Sequence, residues 1–293
     1  MARTESPNPE HPHLDAYEVD ALVSVFVEDQ RDAIEAVFAA RAKIAAAVDA
    51  AVPRIRAGGR LIYVGAGTSG RLGLMDSVEL NPTFSWPRER SVALLAGGER
   101  AAFQSIEGAE DDEAAGVAEM RAAGPGPNDV VIALSAAGEA PYVLSAMRTA
   151  RAAGSLTVGI ANNPDVSVTR EAEIGITLDT GPELITGSTR LKAGTAQKIA
   201  LNTLSSAIMV RLDKVYGNLM VDMRATNAKL VRRAVALTVL ATGTDEGTAR
   251  KMLEASEFHV KVAILAISRT LDVAEARARL ATAHGSLRAA LAA

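Results

Sequence analysis

The chain has 293 residues, 48% of them hydrophobic and only 3% aromatic, enough for one large domain or a medium domain with a smaller companion. It contains 31 basic and 35 acidic residues, a net charge of -4 with no dense basic run, which argues against a nucleic-acid surface. The absence of cysteine excludes disulfides, thiolate nucleophiles, iron-sulfur clusters and cysteine zinc sites.

The four histidines, His11, His13, His259 and His284, offer no HxxxH spacing, so a histidine metal site is not expected. No run of about 18 apolar residues occurs, and the N-terminus lacks a signal-peptide core. A soluble, cytoplasmic protein is expected. Alanine supplies roughly one residue in five and favours helix, because it loses no side-chain entropy on entering one.

Residues 1 to about 16 contain Pro7, Pro9 and Pro12 and read as an extended arm. Apolar residues then recur at helical spacing from Val19 to Arg56, and Gly58 and Gly59 end the run. Pro53 is a point where this helix could kink. Leu61 to Val64 predicts a strand, GAGTSG a glycine-rich turn, and Leu72 onward a helix that Asn81-Pro82 should terminate. Strands are predicted at 91–95, 129–134, 156–160 and 174–178, with helices at 111–122 and 140–152 between them. Strands that are nearly all apolar and alternate with helices indicate a parallel sheet covered on both faces, with ligands at the strands' carboxyl ends. Long helices follow at 189–214 and 223–240, then short helical segments to the end. This gives three expected parts: an arm and long helix (1–56), a five-stranded parallel αβα sandwich (57–222) and a small helical subdomain (223–293).

Gly65-Ala66-Gly67-Thr68-Ser69-Gly70 satisfies GxGxxG between a strand and a helix. A dinucleotide site would also need an acid ending the next strand, and 92–95 runs into Ala96-Gly97-Gly98 instead. A helix start with exposed backbone N-H groups and the hydroxyls of Thr68 and Ser69 suits a phosphate monoester. Ser135, after the strand ending at Leu134, and Ser188-Thr189 with Lys192 one turn on, offer similar groups. The same Ser and Thr residues could equally serve as helix caps. Two carboxylates, Glu79 and Glu110, lie near the ends of these segments, although acids in a first helical turn often serve only the dipole.

The stretches GRLIYVGAGTSGRLGLMDSVELNPTF (59–84), AGGERAAFQSIEGAEDD (96–112), TGSTRLKAGTAQKIALNTLS (186–205) and GNLMVDMRATNAKL (217–230) resemble those of the N-acetylmuramic acid 6-phosphate etherases. The similarity extends to Thr4-Glu5 and Asn8-Pro9 in the arm. It implies the sugar isomerase (SIS) fold, an amino sugar phosphate substrate handled without metal or cofactor, and a homodimer with sites near its interface; charge and hydropathy already leave no nucleic-acid or membrane partner expected. It also implies two acting glutamates, Glu79 and Glu110, which we expect to be acid and base in that order; the loops read above make Gly67, Thr68, Ser69, Ser135, Ser188, Thr189 and Lys192 the expected phosphate-binding residues. SIS domains commonly carry a second phosphate loop, Ser-x-Ser-Gly-x-Thr. Here it reads Ser135-Ala136-Ala137-Gly138-Glu139-Ala140, with Glu139 where etherases often place Arg. A sugar-phosphate isomerase and a regulatory sugar-phosphate sensor are the competing functions on the same fold.

Overall fold

The computed structural model describes every residue except Met1, Arg224 and Thr226. The last two fall in the 217–230 motif and in the helix expected from Met223, so that part of both expectations lies outside the described residues. Five strands, β1 (Leu61–Gly65), β2 (Ser91–Leu95), β3 (Val130–Leu134), β4 (Leu156–Ala161) and β5 (Ile174–Thr177), form one parallel sheet in the order β2-β1-β3-β4-β5. The order reverses between β1 and β3, and in such sheets a crevice opens beyond the strand ends at that point.

Side chains alternate across the sheet, and each set meets helices. Ile62, Val64, Val131, Ala133 and Ala161 pack with Met120 of α4 (Glu113–Ala123) and with Tyr142, Val143 and Met147 of α5 (Pro141–Ala152). On the other face, Gly73 of α3 (Gly67–Phe84) comes so near Tyr63 and Leu134 that a Cβ would lie 2.9 Å from Leu134 Cδ1.

The helix expected over 19–56 is two helices, α1 (Val19–Glu28) and α2 (Gln30–Arg56), separated at Asp29. α2 buries a stripe of Ala and Val with Ile44 and Ile55 and packs on β3, β4 and β5. It runs through Pro53, and α3 runs through Pro82. Each proline sits in the last turn, where its missing N-H removes a single bond. A short α6 (Ser167–Glu171), absent from the sequence reading, packs against β4 and β5, and α7 (Lys192–Arg211) follows the sheet.

Packing divides the chain into two units, Met1–Val78 with Arg88–Ser206, and Glu79–Pro87 with Ala207–Ala293. The arm and long helices thus belong with the sheet, because α2 covers it. In the second unit, α8 (Ala228–Thr242), α9 (Glu246–Ala255), α11 (Val273–Thr282) and α12 (Leu287–Ala292) surround α10 (Val260–Arg269). Residues 260–266 of α10 are all buried, as befits a helix apolar around its whole circumference. Its one cation there, Lys261, donates to Asp222 and to the Gly285 carbonyl, each at 3.0 Å.

Candidate active site

The glycines of GAGTSG have separate tasks. A Cβ on Gly65 would lie 2.7 Å from Gly70 Cα, and one on Gly70 would lie 2.3 Å from Leu95 Cδ1, so these two allow strand and helix to touch. Gly67 has φ +53 with open space around it, the left-handed conformation that a side chain would strain. α3 therefore starts at the strand end with the N-H groups of its first turn unused by the helix.

A cavity of about 400 Å³ lies at this edge of the sheet, within the first unit. Ala66 to Ser69 at the start of α3 and Leu134 to Ala137 after β3 wall it, as do Glu139 to Pro141 before α5 and the Gly187 and Thr189 positions. Glu5, Glu110 and Asp111 complete the lining. Of the residues the sequence singled out, Gly67, Thr68, Ser69, Ser135, Thr189 and Glu110 share this one space. The Ser135 hydroxyl accepts from the Gly138 N-H at 3.0 Å, leaving its own proton to donate.

Glu110 owes its place to a division of labour among neighbouring acids. Asp112 caps α4, accepting from the Ala115 N-H at 2.8 Å. Glu110 lies before the helix, in the turn Ala109–Asp111, and is exposed to the cavity. Glu139 also has a structural bond, accepting from the Ser167 N-H at 2.8 Å at the start of α6. Ala137 and Ala140, where SIS loops commonly carry hydroxyls, both line the cavity.

Three expected site residues lie elsewhere. Ser188 belongs to the turn before α7 but does not line the cavity. Glu79 is exposed on the last part of α3, in the second unit, between the exposed Val78 and the buried Leu80. Lys192 requires correction as a phosphate ligand, because its ammonium is already engaged. It is 2% exposed, and Nζ donates to Asp29 at 2.7 Å and Asp32 at 2.8 Å. Burial alone would lower the Lys192 pKa, but the hydrogen bonds and charges of Asp29 and Asp32 outweigh it and hold it above 10.5.

The start of α7 is not open to a ligand either. Both oxygens of buried Glu183 accept from it, Oε2 from the Lys192 N-H at 3.1 Å and Oε1 from the Ala193 N-H at 3.0 Å. Burial raises the Glu183 carboxyl and these N-H groups lower it, with a net upward result. Sequence reasoning missed Glu5 and Asp111 as lining residues. Their signals were the Thr4-Glu5 pair in the arm and the unbroken acidic run after Glu110.

Taken together, a parallel sheet of this order and a hydroxyl-rich cavity at its carboxyl edge define a SIS-domain protein. The SIS domain family matches residues 112–207, and the glucokinase regulatory protein N-terminal SIS domain matches residues 43–151. The N-acetylmuramic acid 6-phosphate etherase of Deinococcus radiodurans is 56% identical over 99% of this chain and 95% of its own length. That of Salmonella dublin is 48% identical over 98% of this chain and 97% of its own. The chain belongs to the N-acetylmuramic acid 6-phosphate etherase family. Among solved structures, a phosphoheptose isomerase from Francisella tularensis aligns with 66% of this chain and 98% of its own, at 17% identity and a TM-score of 0.49.

Proposed function

We propose that this chain is a carbon-oxygen lyase that cleaves the D-lactyl ether of N-acetylmuramic acid 6-phosphate. The products are N-acetylglucosamine 6-phosphate and D-lactate, a step of cell-wall amino sugar recycling carried out in the cytoplasm. The observation that carries the reading is that the start of α3, with Thr68 and Ser69, and the carboxylate of Glu110 wall the same cavity. The first-turn N-H groups of α3 and the hydroxyls of Thr68, Ser69, Ser135 and Thr189 suit a phosphate dianion.

In the ring-opened sugar the aldehyde acidifies the proton on carbon 2. Glu110, as carboxylate, removes that proton. Glu79, as carboxylic acid, protonates the ether oxygen on carbon 3 while the carbon-oxygen bond breaks and D-lactate leaves. Water then adds to carbon 3 of the unsaturated aldehyde. A positioned acid and base each contribute on the order of 10² to 10⁴ in rate.

The assignment of Glu79 rests on its motif and its exposure. Met75 and Val78, one turn before and one residue before it on α3, are 43% and 59% exposed. α1 likewise leaves Val19, Val23 and Val27 exposed and buries nothing, and Ile34 and Phe38 of α2 continue the exposed apolar series. We propose that these faces are covered in a homodimer and that Glu79 serves the site of the partner subunit.

The test measures D-lactate released from N-acetylmuramic acid 6-phosphate and from its unphosphorylated form. Lactate from the phosphorylated substrate alone is expected; none from either, or equal rates from both, would refute the reading. The match to the glucokinase regulatory protein domain favours a second reading, a sugar-phosphate sensor, which would bind the sugar phosphate and release no lactate.

A further inference from the structure

The N-terminal arm carries into the cavity a carboxylate that the elimination does not use. Terminal residues are loosely held unless something ties them down, and this arm is tied at a buried point. Thr4 is 0% exposed; its N-H donates to Asn163 Oδ1 at 3.1 Å and its hydroxyl accepts from Asn163 Nδ2 at 2.9 Å. The Thr4 carbonyl accepts from the Gly187 N-H at 3.2 Å. Asn163, 2% exposed at the end of β4, also donates to the carbonyl of Ala136 in the cavity wall, at 3.0 Å. Arg3 pairs with Asp179.

What this anchorage delivers is Glu5. Its side chain lines the cavity and stands against Gly187, where an added Cβ would lie 2.9 Å from Glu5 Oε2. Among the described residues, nothing donates to its carboxylate. An ionised carboxylate has only acceptors to offer. It repels a phosphate, so its use in this cavity lies with the neutral donors of the sugar.

We propose that Glu5 is a substrate-contacting residue that accepts a hydrogen bond from a ring hydroxyl or the acetamido N-H of the amino sugar. The arm is a wall of the site, and Thr4 and Asn163 are its positioning residues. This rests on the reading of the cavity as an amino sugar phosphate site. A charged acceptor removed from such a bond leaves the ligand's donor unpaired, a loss of about 10- to 100-fold in affinity.

The experiment compares wild type with Glu5→Gln, Glu5→Ala and Thr4→Val in the full chain. It measures dissociation constants for N-acetylglucosamine 6-phosphate and for inorganic phosphate, beside lactate release. Glu5→Ala should weaken the sugar phosphate about 10- to 100-fold and Glu5→Gln by less, with inorganic phosphate bound as tightly or more tightly. Thr4→Val, with the anchor loosened, should show the same split. Equal weakening of both ligands in the Glu5 variants, or no change in either, would overturn the assignment. A wild-type chain that releases no lactate would refute the etherase reading alone, because both constants are measured without turnover.

Discussion

A lysine at 2% exposure keeps its charge only where carboxylates surround it, and Lys192 has Asp29 and Asp32. Among the described residues, one oxygen of Asp29 is already buried without a partner, so removing the ammonium strands a buried charge. Lys192→Met should cost about 3 kcal/mol of stability, measured by chemical unfolding. Arg60 and Asp129 give a residue-scale dependence on pH. Burial pushes the Asp129 carboxyl up, but the hydrogen bonds from the Arg60 side chain, the Arg60 N-H and the Gly126 N-H outweigh it and hold it below 3.8. Its folded pKa lies below its unfolded one, so the stabilisation is present above about pH 4 and lost as pH falls through the folded value. Asp129→Asn should therefore melt below wild type at pH 7, with the gap closing under about pH 4. Ala137 and Ala140 line the cavity where hydroxyls would meet a phosphate. Ala137→Ser with Ala140→Thr should lower the Michaelis constant about tenfold. An unchanged constant in the lactate assay would mean that the ligand does not touch this loop.

At the scale of elements, glycines decide how closely helices approach. Gly116 of α4 faces α5, and a Cβ there would lie 2.3 Å from the Tyr142 carbonyl oxygen and 2.4 Å from Ser145 Oγ. Neither can retreat cheaply, since Tyr142 is fully buried and Ser145 Oγ donates to the Glu113 carbonyl. Gly116→Ala should cost about 1–3 kcal/mol in urea unfolding. The strands were legible because a strand buried on both faces is nearly all apolar, as 130–134 is throughout and 156–160 is but for Thr157. Two features of the helices were not. The break at Asp29 coincides with a tertiary bond to Lys192, 163 residues away, and the helix through Pro82 is flanked by the buried Leu80 and Phe84. The candidate site was legible in its loops, whose glycine and hydroxyl pattern is local. Lys192 was misplaced because sequence proximity to Ser188-Thr189 does not reveal which way a side chain turns.

For the whole molecule, the exposed apolar faces of α1, α2 and α3 predict a mass in solution of twice 30.5 kDa. Light scattering reads this directly, and Val23→Asp with Phe38→Asp should halve it. If Glu79 serves the partner's cavity, mixing Glu79→Gln chains with Glu110→Gln chains should restore up to about a quarter of wild-type lactate release, since half the dimers then hold one intact site. Persistent inactivity of the mixture, with subunit exchange demonstrated, would place both glutamates on one chain.

Glu183 has a consequence for how a ligand must enter. By occupying the start of α7 with its own two oxygens, the chain neutralises one helix end beside Thr189 and leaves the start of α3 open for an incoming anion. On the proposed function, a sugar phosphate is thereby given a head and a tail: its phosphate at Thr68 and Ser69, and its ring toward Glu5 and Glu110. A second phosphate on the sugar would then meet the carboxylates of Glu5 and Glu110, so a sugar bisphosphate is expected to bind less tightly than the monophosphate.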